Sequence, residues 1–245
     1  MNGSLILVYA DGELIAAQKN VTFTVSQNLF DTSNKESGGW AEHANGMRSF
    51  EISLEALAST TGKSANELYD YIIDRKSLVM LIDGFANDYV CKADISTVTL
   101  NAPMEDAVSL SGSIKGNGEI FELTGTHAQL FNDFDNGDYD TFTEATAIIT
   151  SAINAAGTAY ARSDTFGVTS GDVVKVFTFL TLTSGQAPSV ALVNSAGADI
   201  SNVVQLAAGA NFILLTATGS DATSYLQIDN TGAASYATTK VYCFK

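Results

Sequence analysis

Within residues 48–57, Phe50, Ile52 and Leu54 alternate with Ser49, Glu51, Ser53 and Glu55. A period of two sends one set to each face of a pleated strand, so the segment fits a half-buried sheet and not an amphipathic helix. Val21, Phe23 and Val25 alternate with Thr22, Thr24 and Ser26 in the same way. Upstream, residues 5–9 and 13–17 flank Ala10-Asp11-Gly12, a hairpin signal of the Asp-Gly type whose glycine accepts positive φ. Glycine is frequent at 20 residues and proline scarce at 2, and short Thr-, Val- and Ser-containing runs recur between turn residues. The chain is expected to be mainly β.

The alternation stops at Asn28, and no helix or strand period returns until about Met47. The expectation is a long loop, unusual inside a compact domain and of the kind that serves function or assembly. It carries Trp40, the single tryptophan. One helix follows, announced by the S-x-x-E capping box of Ser64 and Glu67 and by Leu68, Tyr71 and Ile72 at helical spacing. Residues 77–82, 88–100 and 107–115 read as strands, and Gly116-Asn117-Gly118 reads as a hairpin turn leading into 119–123. The first half is therefore expected to be a two-sheet β-sandwich or barrel with one flanking α-helix.

Regular patterning lapses again between Thr124 and Thr146, and a domain boundary is placed near His127, giving domains 1–127 and 128–245. Beyond it, 159–166, 173–183, 189–193, 202–206, 211–217, 224–229 and 235–244 read as strands separated by Ser-, Asn- and Gly-containing turns. That spacing indicates a C-terminal β-sandwich of jelly-roll type.

The 245 residues carry 27 acidic against 12 basic side chains, a net charge of −15. Phosphate-tracking nucleic-acid binding needs clustered cations and is disfavoured. A surface that must pass nucleic acid without holding it tolerates this sign. The start Met1-Asn2-Gly3-Ser4 lacks a basic segment, and the apolar run from Leu5 stops at Asp11, so neither a signal peptide nor a membrane span is expected. Cys91 and Cys243 lie far apart without CxxC spacing and read as ordinary strand residues.

Catalytic signals are sparse. His43 and His127 are the only histidines, one in the long loop and one at the domain junction, and no nucleophile elbow or phosphate-binding loop is present. No catalytic residue and no organic cofactor are assigned. Asp133, Asp135 and Asp138 crowd around Asn136-Gly137, but the glycine sits one position early for an EF-hand loop. The pattern favours an acidic solvated linker, with a Ca²⁺ ion held near Asp133, Asp135 and Asp138 as the alternative.

The opening hairpin, the strand, the stretch Asp31-Thr32-Ser33-Asn34-Lys35-Glu36-Ser37-Gly38-Gly39-Trp40, the alternating strand and the capped helix together resemble the major tail tube proteins of long-tailed bacteriophages, over about residues 1–125. The resemblance implies a virion structural protein, made in the host cytoplasm, that forms hexameric rings stacked into a tube. DNA would pass through its lumen without specific binding, and tape-measure, tail-terminator and distal tail proteins would be its partners. It also implies inter-ring contacts through the long loop, at Phe30, Asp31, Ser33, Lys35, Gly38, Gly39 and Trp40. An aromatic anchor on such a loop suits an interface. A phage-derived secretion or gene-transfer particle would share the fold.

The second domain more loosely resembles carbohydrate-binding modules and the decoration domains appended to tube proteins, through Asn132-Asp133-Phe134-Asp135-Asn136-Gly137 and Ser170-Gly171-Asp172-Val173-Val174-Lys175-Val176. Outward decoration is the expected role. Binding of host surface glycans is the alternative, with Tyr160, Tyr225 and Tyr236 in place of the missing tryptophan platforms.

Overall fold

The structure, a computed structural model, describes residues 6–33, 40–58, 63–84, 87–104, 107–123 and 129–245. It is mainly β with one described helix, as expected. The first strands are β1 (Leu7–Ala10), β2 (Glu13–Leu14), β3 (Ala17–Asp31) and β4 (His43–Leu57). Helix α1 (Ala65–Ile73) is followed by β5 (Leu78–Asp83), β6 (Tyr89–Asn101) and β7 (Ser109–Glu122). These strands form one seven-stranded sheet in the order β2-β1-β5-β6-β7-β4-β3, and no sheet among the described residues closes into a barrel.

Local chemistry accounts for several elements. Asp11 and Gly12 both have positive φ, 50° and 83°, as a tight two-residue hairpin turn requires. Asp11 is buried, and its carboxylate accepts the Val79 N–H at 2.8 Å, which offsets the cost of removing it from water. Helix α1 starts at the expected capping box: the Glu67 carboxylate accepts the Ser64 N–H at 2.8 Å while Ser64 Oγ accepts the Glu67 N–H. Of the expected apolar stripe only Leu68 is buried; Ile72 is exposed. In β4, Phe50, Ile52, Leu54 and Ala56 are buried, and the intervening Glu51, Ser53 and Glu55 are exposed.

Gly116-Asn117-Gly118 corrects the sequence reading. It does not turn the chain, because β7 runs unbroken from Ser109 to Glu122. A Cβ on Gly116 would lie 2.2 Å from the Phe50 ring, so the glycine is there to let an aromatic side chain lie across the backbone.

The remaining strands are β8 (Phe134–Asn136), β9 (Thr141–Ala145), β10 (Ile148–Asn154), β11 (Ala159–Ser163), β12 (Phe166–Val168), β13 (Val173–Gly185) and β14 (Ser189–Val193). They continue with β15 (Val204–Gln205), β16 (Gly209–Thr216), β17 (Asp221–Asn230), β18 (Ala234–Thr238) and β19 (Tyr242–Phe244). One six-stranded sheet has the order β16-β13-β18-β10-β9 with β19 also on β13, and the other has the order β15-β14-β17-β11-β8 with β12 also on β17. Between them lies a core that includes Ile149, Val174, Val176, Leu180, Leu192, Leu215, Leu226 and Tyr236. Strands β8, β9 and β10 occupy a stretch that shows no clear pattern in the sequence, and Phe134–Asn136 is a strand where an acidic linker was expected.

The chain divides into two compact units, residues 1–8, 13–78 and 91–120 in one and 9–12, 79–90 and 121–245 in the other. The second unit holds a further cluster of Val79, Val90, Phe121, Phe177, Tyr242 and Phe244. In it Phe121 stacks on Phe244 with centroids 5.7 Å apart, and Lys175 Nζ lies 4.4 Å from the Phe121 ring centre.

Candidate functional site

The segment expected as a loop from Asn28 to Met47 is largely a β-ribbon. Strands β3 and β4 pair antiparallel out to Asp31↔His43, and the Thr32 N–H donates to the Glu42 carbonyl at 2.8 Å beyond that. β4 pairs with β7 only from Glu51 to Leu57, so among the described residues its outer half has β3 as sole ladder partner. An isolated two-stranded ribbon is marginally stable in water and gains from a partner surface. A register shift lies between Gln27 and Leu29, where β4 carries one extra residue. Such a bulge bends and twists a ribbon. Gly46 sits there because a Cβ would come within 2.5 Å of the Phe30 ring and 2.9 Å of the Asn28 carbonyl oxygen.

Near its tip the ribbon is fixed by short polar contacts. The Ser33 N–H donates to Asp31 Oδ1 at 2.8 Å, and the Glu42 N–H donates to Ser33 Oγ at 2.8 Å. Hydrogen bonds from the Ser33 hydroxyl and N–H, with a smaller contribution from His43, hold the Asp31 carboxyl below its ordinary value. Large apolar side chains remain in solvent on the same ribbon: Trp40 is 82% exposed, Met47 80% and Phe30 60%, with Val25 and Leu29 also exposed. Of the residues expected at an inter-ring contact, Phe30, Asp31, Ser33 and Trp40 thus lie at the outer end of one hairpin. Lys35, Gly38 and Gly39 lie outside the described residues.

Three tyrosines carried the glycan expectation, and they divide. Tyr236 is 2% exposed in the sandwich core, where its hydroxyl lies 2.6 Å from that of Tyr139, so it offers no ring face to a ligand. Tyr160 and Tyr225, on β11 and β17, stand on either side of Arg162, whose guanidinium carbon is 4.7 Å and 5.6 Å from their ring centres. Arg162 did not emerge from the sequence; the alternation Ala159-Tyr160-Ala161-Arg162-Ser163 is the signal that could have found it, since it puts Tyr160 and Arg162 on the outer face.

Asp133, Asp135 and Asp138 serve local geometry or stand in solvent. Asp133 Oδ1 accepts the Phe134 N–H at 2.9 Å, and Asp135 lies opposite Arg162 in the β8–β11 ladder. Among the described residues no group of three His, Cys, Asp or Glu side chains gathers as a metal site. Burial pushes the Glu144 carboxyl up to about 7, and the Asp133 carboxylate, able to accept a hydrogen bond from the protonated Glu144, adds to the shift. Cys91 and Cys243 are buried and not joined in a disulfide, and burial raises the Cys91 thiol to about 12. His43 faces Asp31 across the ribbon, and His127 lies outside the described residues. Among the described residues no helix is long and apolar enough to cross a membrane.

Residues 5–122 match the phage tail tube protein family. No curated protein matches the chain. Among solved structures, a chain of the native gene transfer agent virion is similar at 18% identity and a TM-score of 0.47, over 51% of this chain and 99% of that one. A chain from the tail of the empty gene transfer agent particle gives 18%, 0.46, 51% and 99%. The SPP1 Dit protein, from a hub adsorption apparatus of phages infecting Gram-positive hosts, gives 6%, 0.28, 98% and 100%. Likenesses this distant bear on neither partners nor assembly. The match is to a structural family and not to an enzyme family: residues 5–122 are similar to the tail tube proteins of phages, components of the virion tail.

Proposed function

We propose that the chain assembles into six-membered rings that stack into the tail tube, with DNA passing along the lumen and residues 128–245 decorating the outer wall. The observation that carries this reading is the outer edge of β3. It is a 15-residue strand at the end of the seven-stranded sheet, and its ribbon leaves five large apolar side chains in solvent. A long open edge of this kind invites pairing with another chain, and closure into a ring gives it a defined partner. The number six comes from the family resemblance.

The two faces of the sheet support the same assignment of sides. One buries Phe50, Ile52, Leu54, Leu110 and Ile114; the other presents Glu51, Ser53 and Glu55 to solvent. A polar face carrying carboxylates suits a lumen wall, because it repels phosphates and lowers sticking during ejection. Tape-measure, tail-terminator and distal tail proteins would then meet the tube at its interior and ends.

Electron microscopy of the purified protein and of virions tests the proposal. Stacked rings with sixfold averages are the expected result. Monomeric particles under all conditions, together with virions whose tails lack this chain, would overturn it.

A further inference from the structure

We infer that the outer face of the sheet β15-β14-β17-β11-β8 is a binding site for a neutral polysaccharide, read by the guanidinium of Arg162 together with Gln227 and Asp229. The inference does not depend on ring assembly.

Arg162 is the starting point. It is half-buried, its Nε donates to Gln227 Oε1 at 2.9 Å, and the rings of Tyr160 and Tyr225 flank it. Cation–π contacts on both sides hold the planar head in one orientation at little entropic cost on binding. Among the described residues its two Nη groups donate no hydrogen bond to the protein, and no carboxylate lies within ion-pair distance. In a chain of net charge −15 a guanidinium left without an anion is conspicuous. It is a pre-aimed set of donors.

The neighbours identify the kind of acceptor. Asp229 lies opposite Tyr160, and Gln227 opposite Arg162, in the β11–β17 ladder, so all four share one face. Ser189 Oγ donates to Asp229 Oδ1 at 3.2 Å and orients that carboxylate. Burial, with Asp199 adding to it, raises the Asp229 carboxyl above its ordinary value. Asp135 faces Arg162 from β8. An anionic ligand would meet these three aspartates together with one arginine and be repelled. A sugar hydroxyl both donates and accepts, so a chain of hydroxyls can satisfy the Arg162 donors and the aspartate acceptors at once.

The rim is rigid. Asn194 Oδ1 accepts the N–H groups of Ala196 and Ala198 at 3.0 and 2.8 Å, and Asp221 accepts the Ser195 N–H at 3.0 Å. Gly197 lies against the guanidinium tip, where a Cβ would come within 2.5 Å of Nη2. A brace for this loop is the competing role for Arg162. It predicts loss of stability in Arg162 variants and no ligand.

The test uses the full chain on an array of neutral glucans, galactans and mannans, with polygalacturonate as the anionic control, followed by titration calorimetry on the strongest neutral binder. Binding to at least one neutral glycan is expected. Arg162→Lys should weaken it by about tenfold or more, the loss of one charge-assisted hydrogen bond. Gln227→Ala, which leaves the Tyr-Arg-Tyr stack in place, should weaken it with an unchanged melting temperature. A blank neutral array, binding to the anionic control alone, or full affinity in both variants would each overturn the inference.

Discussion

Strands β3 and β13 are the two long strands that depart most from a simple alternation of buried and exposed residues, and they do so for opposite reasons. From Val25 onward β3 is exposed on both faces. In the middle of β13, Val176, Phe177 and Thr178 are consecutively buried. Ladder partners β16, β18 and β19 surround β13, the sandwich core covers one of its faces, and the aromatic cluster of the second unit covers the other at Phe177. One strand has its packing already; the other, from Val25 onward, keeps its apolar side chains in solvent. Stability should therefore reside around β13 and assembly along β3, and substitutions in the two places should separate the two properties.

The largest effect is expected at Phe244. It is fully buried, stacked on Phe121 and tilted against Phe177 at 6.1 Å. Phe244→Ala should cost about 3–5 kcal/mol of unfolding free energy through lost burial and the cavity left behind. Denaturant titration reads this directly. A change below about 1 kcal/mol would mean that the outer face of β13 is not the anchor its burial implies.

A middle-sized effect is expected from the Tyr139–Tyr236 pair inside the sandwich. Tyr236→Phe removes one hydroxyl and leaves the buried Tyr139 hydroxyl without that partner, a loss of about 1–3 kcal/mol. Burial also raises both phenols, Tyr139 to about 12 from an ordinary 10. An acid kept neutral by folding contributes stability below its unfolded pKa and loses it as pH rises toward the folded one. Unfolding midpoints should therefore hold through neutral pH. They should begin to fall near 9, where unfolded thiols ionise while Cys91 and Cys243 stay protonated, and fall more steeply above 10 with the phenols. Replacing both tyrosines by phenylalanine should shrink the second limb to the part carried by Tyr242, whose phenol is also raised by burial.

How much of this was legible in the sequence follows the same division. β4 could be read because one face is buried and the other wet, so its period of two is written in the residue types. The ribbon reads as a loop because neither of its faces is buried, and backbone pairing alone leaves no mark in side-chain polarity. Gly116-Asn117-Gly118 misled because a glycine that opens a turn and one that admits an aromatic ring look alike in one dimension. Strand β8 was hidden in an Asp- and Asn-rich run at the edge of its sheet, where polar residues cost little. Tyr160, Tyr225 and Tyr236 were equivalent as letters; the alternation in β18 sends Tyr236 inward with Ala234 and Thr238. The alternation in β11 puts Arg162 on the outer face, but its place beside both Tyr160 and Tyr225 follows only from the pairing of β11 with β17.

The smallest effect on stability, and the sharpest on assembly, is expected at the ribbon. Trp40 and Phe30 are mostly in solvent and remove little apolar surface from water in the single chain, so Trp40→Ala and Phe30→Ala should each shift unfolding by less than about 0.5 kcal/mol. If the ribbon lies against a neighbouring subunit in the tube, the same side chains become buried there, and aromatic anchors of this kind carry a disproportionate share of interface energy. Both variants should then fold as the parent does and form fewer or shorter tubes, read by circular dichroism and by counting assembled particles in micrographs. Normal tube yield from the Trp40→Ala, Phe30→Ala double variant would remove the ribbon from the interface. It would leave the open edge of β3, whose pairing needs no side chain, as the contact on which assembly rests.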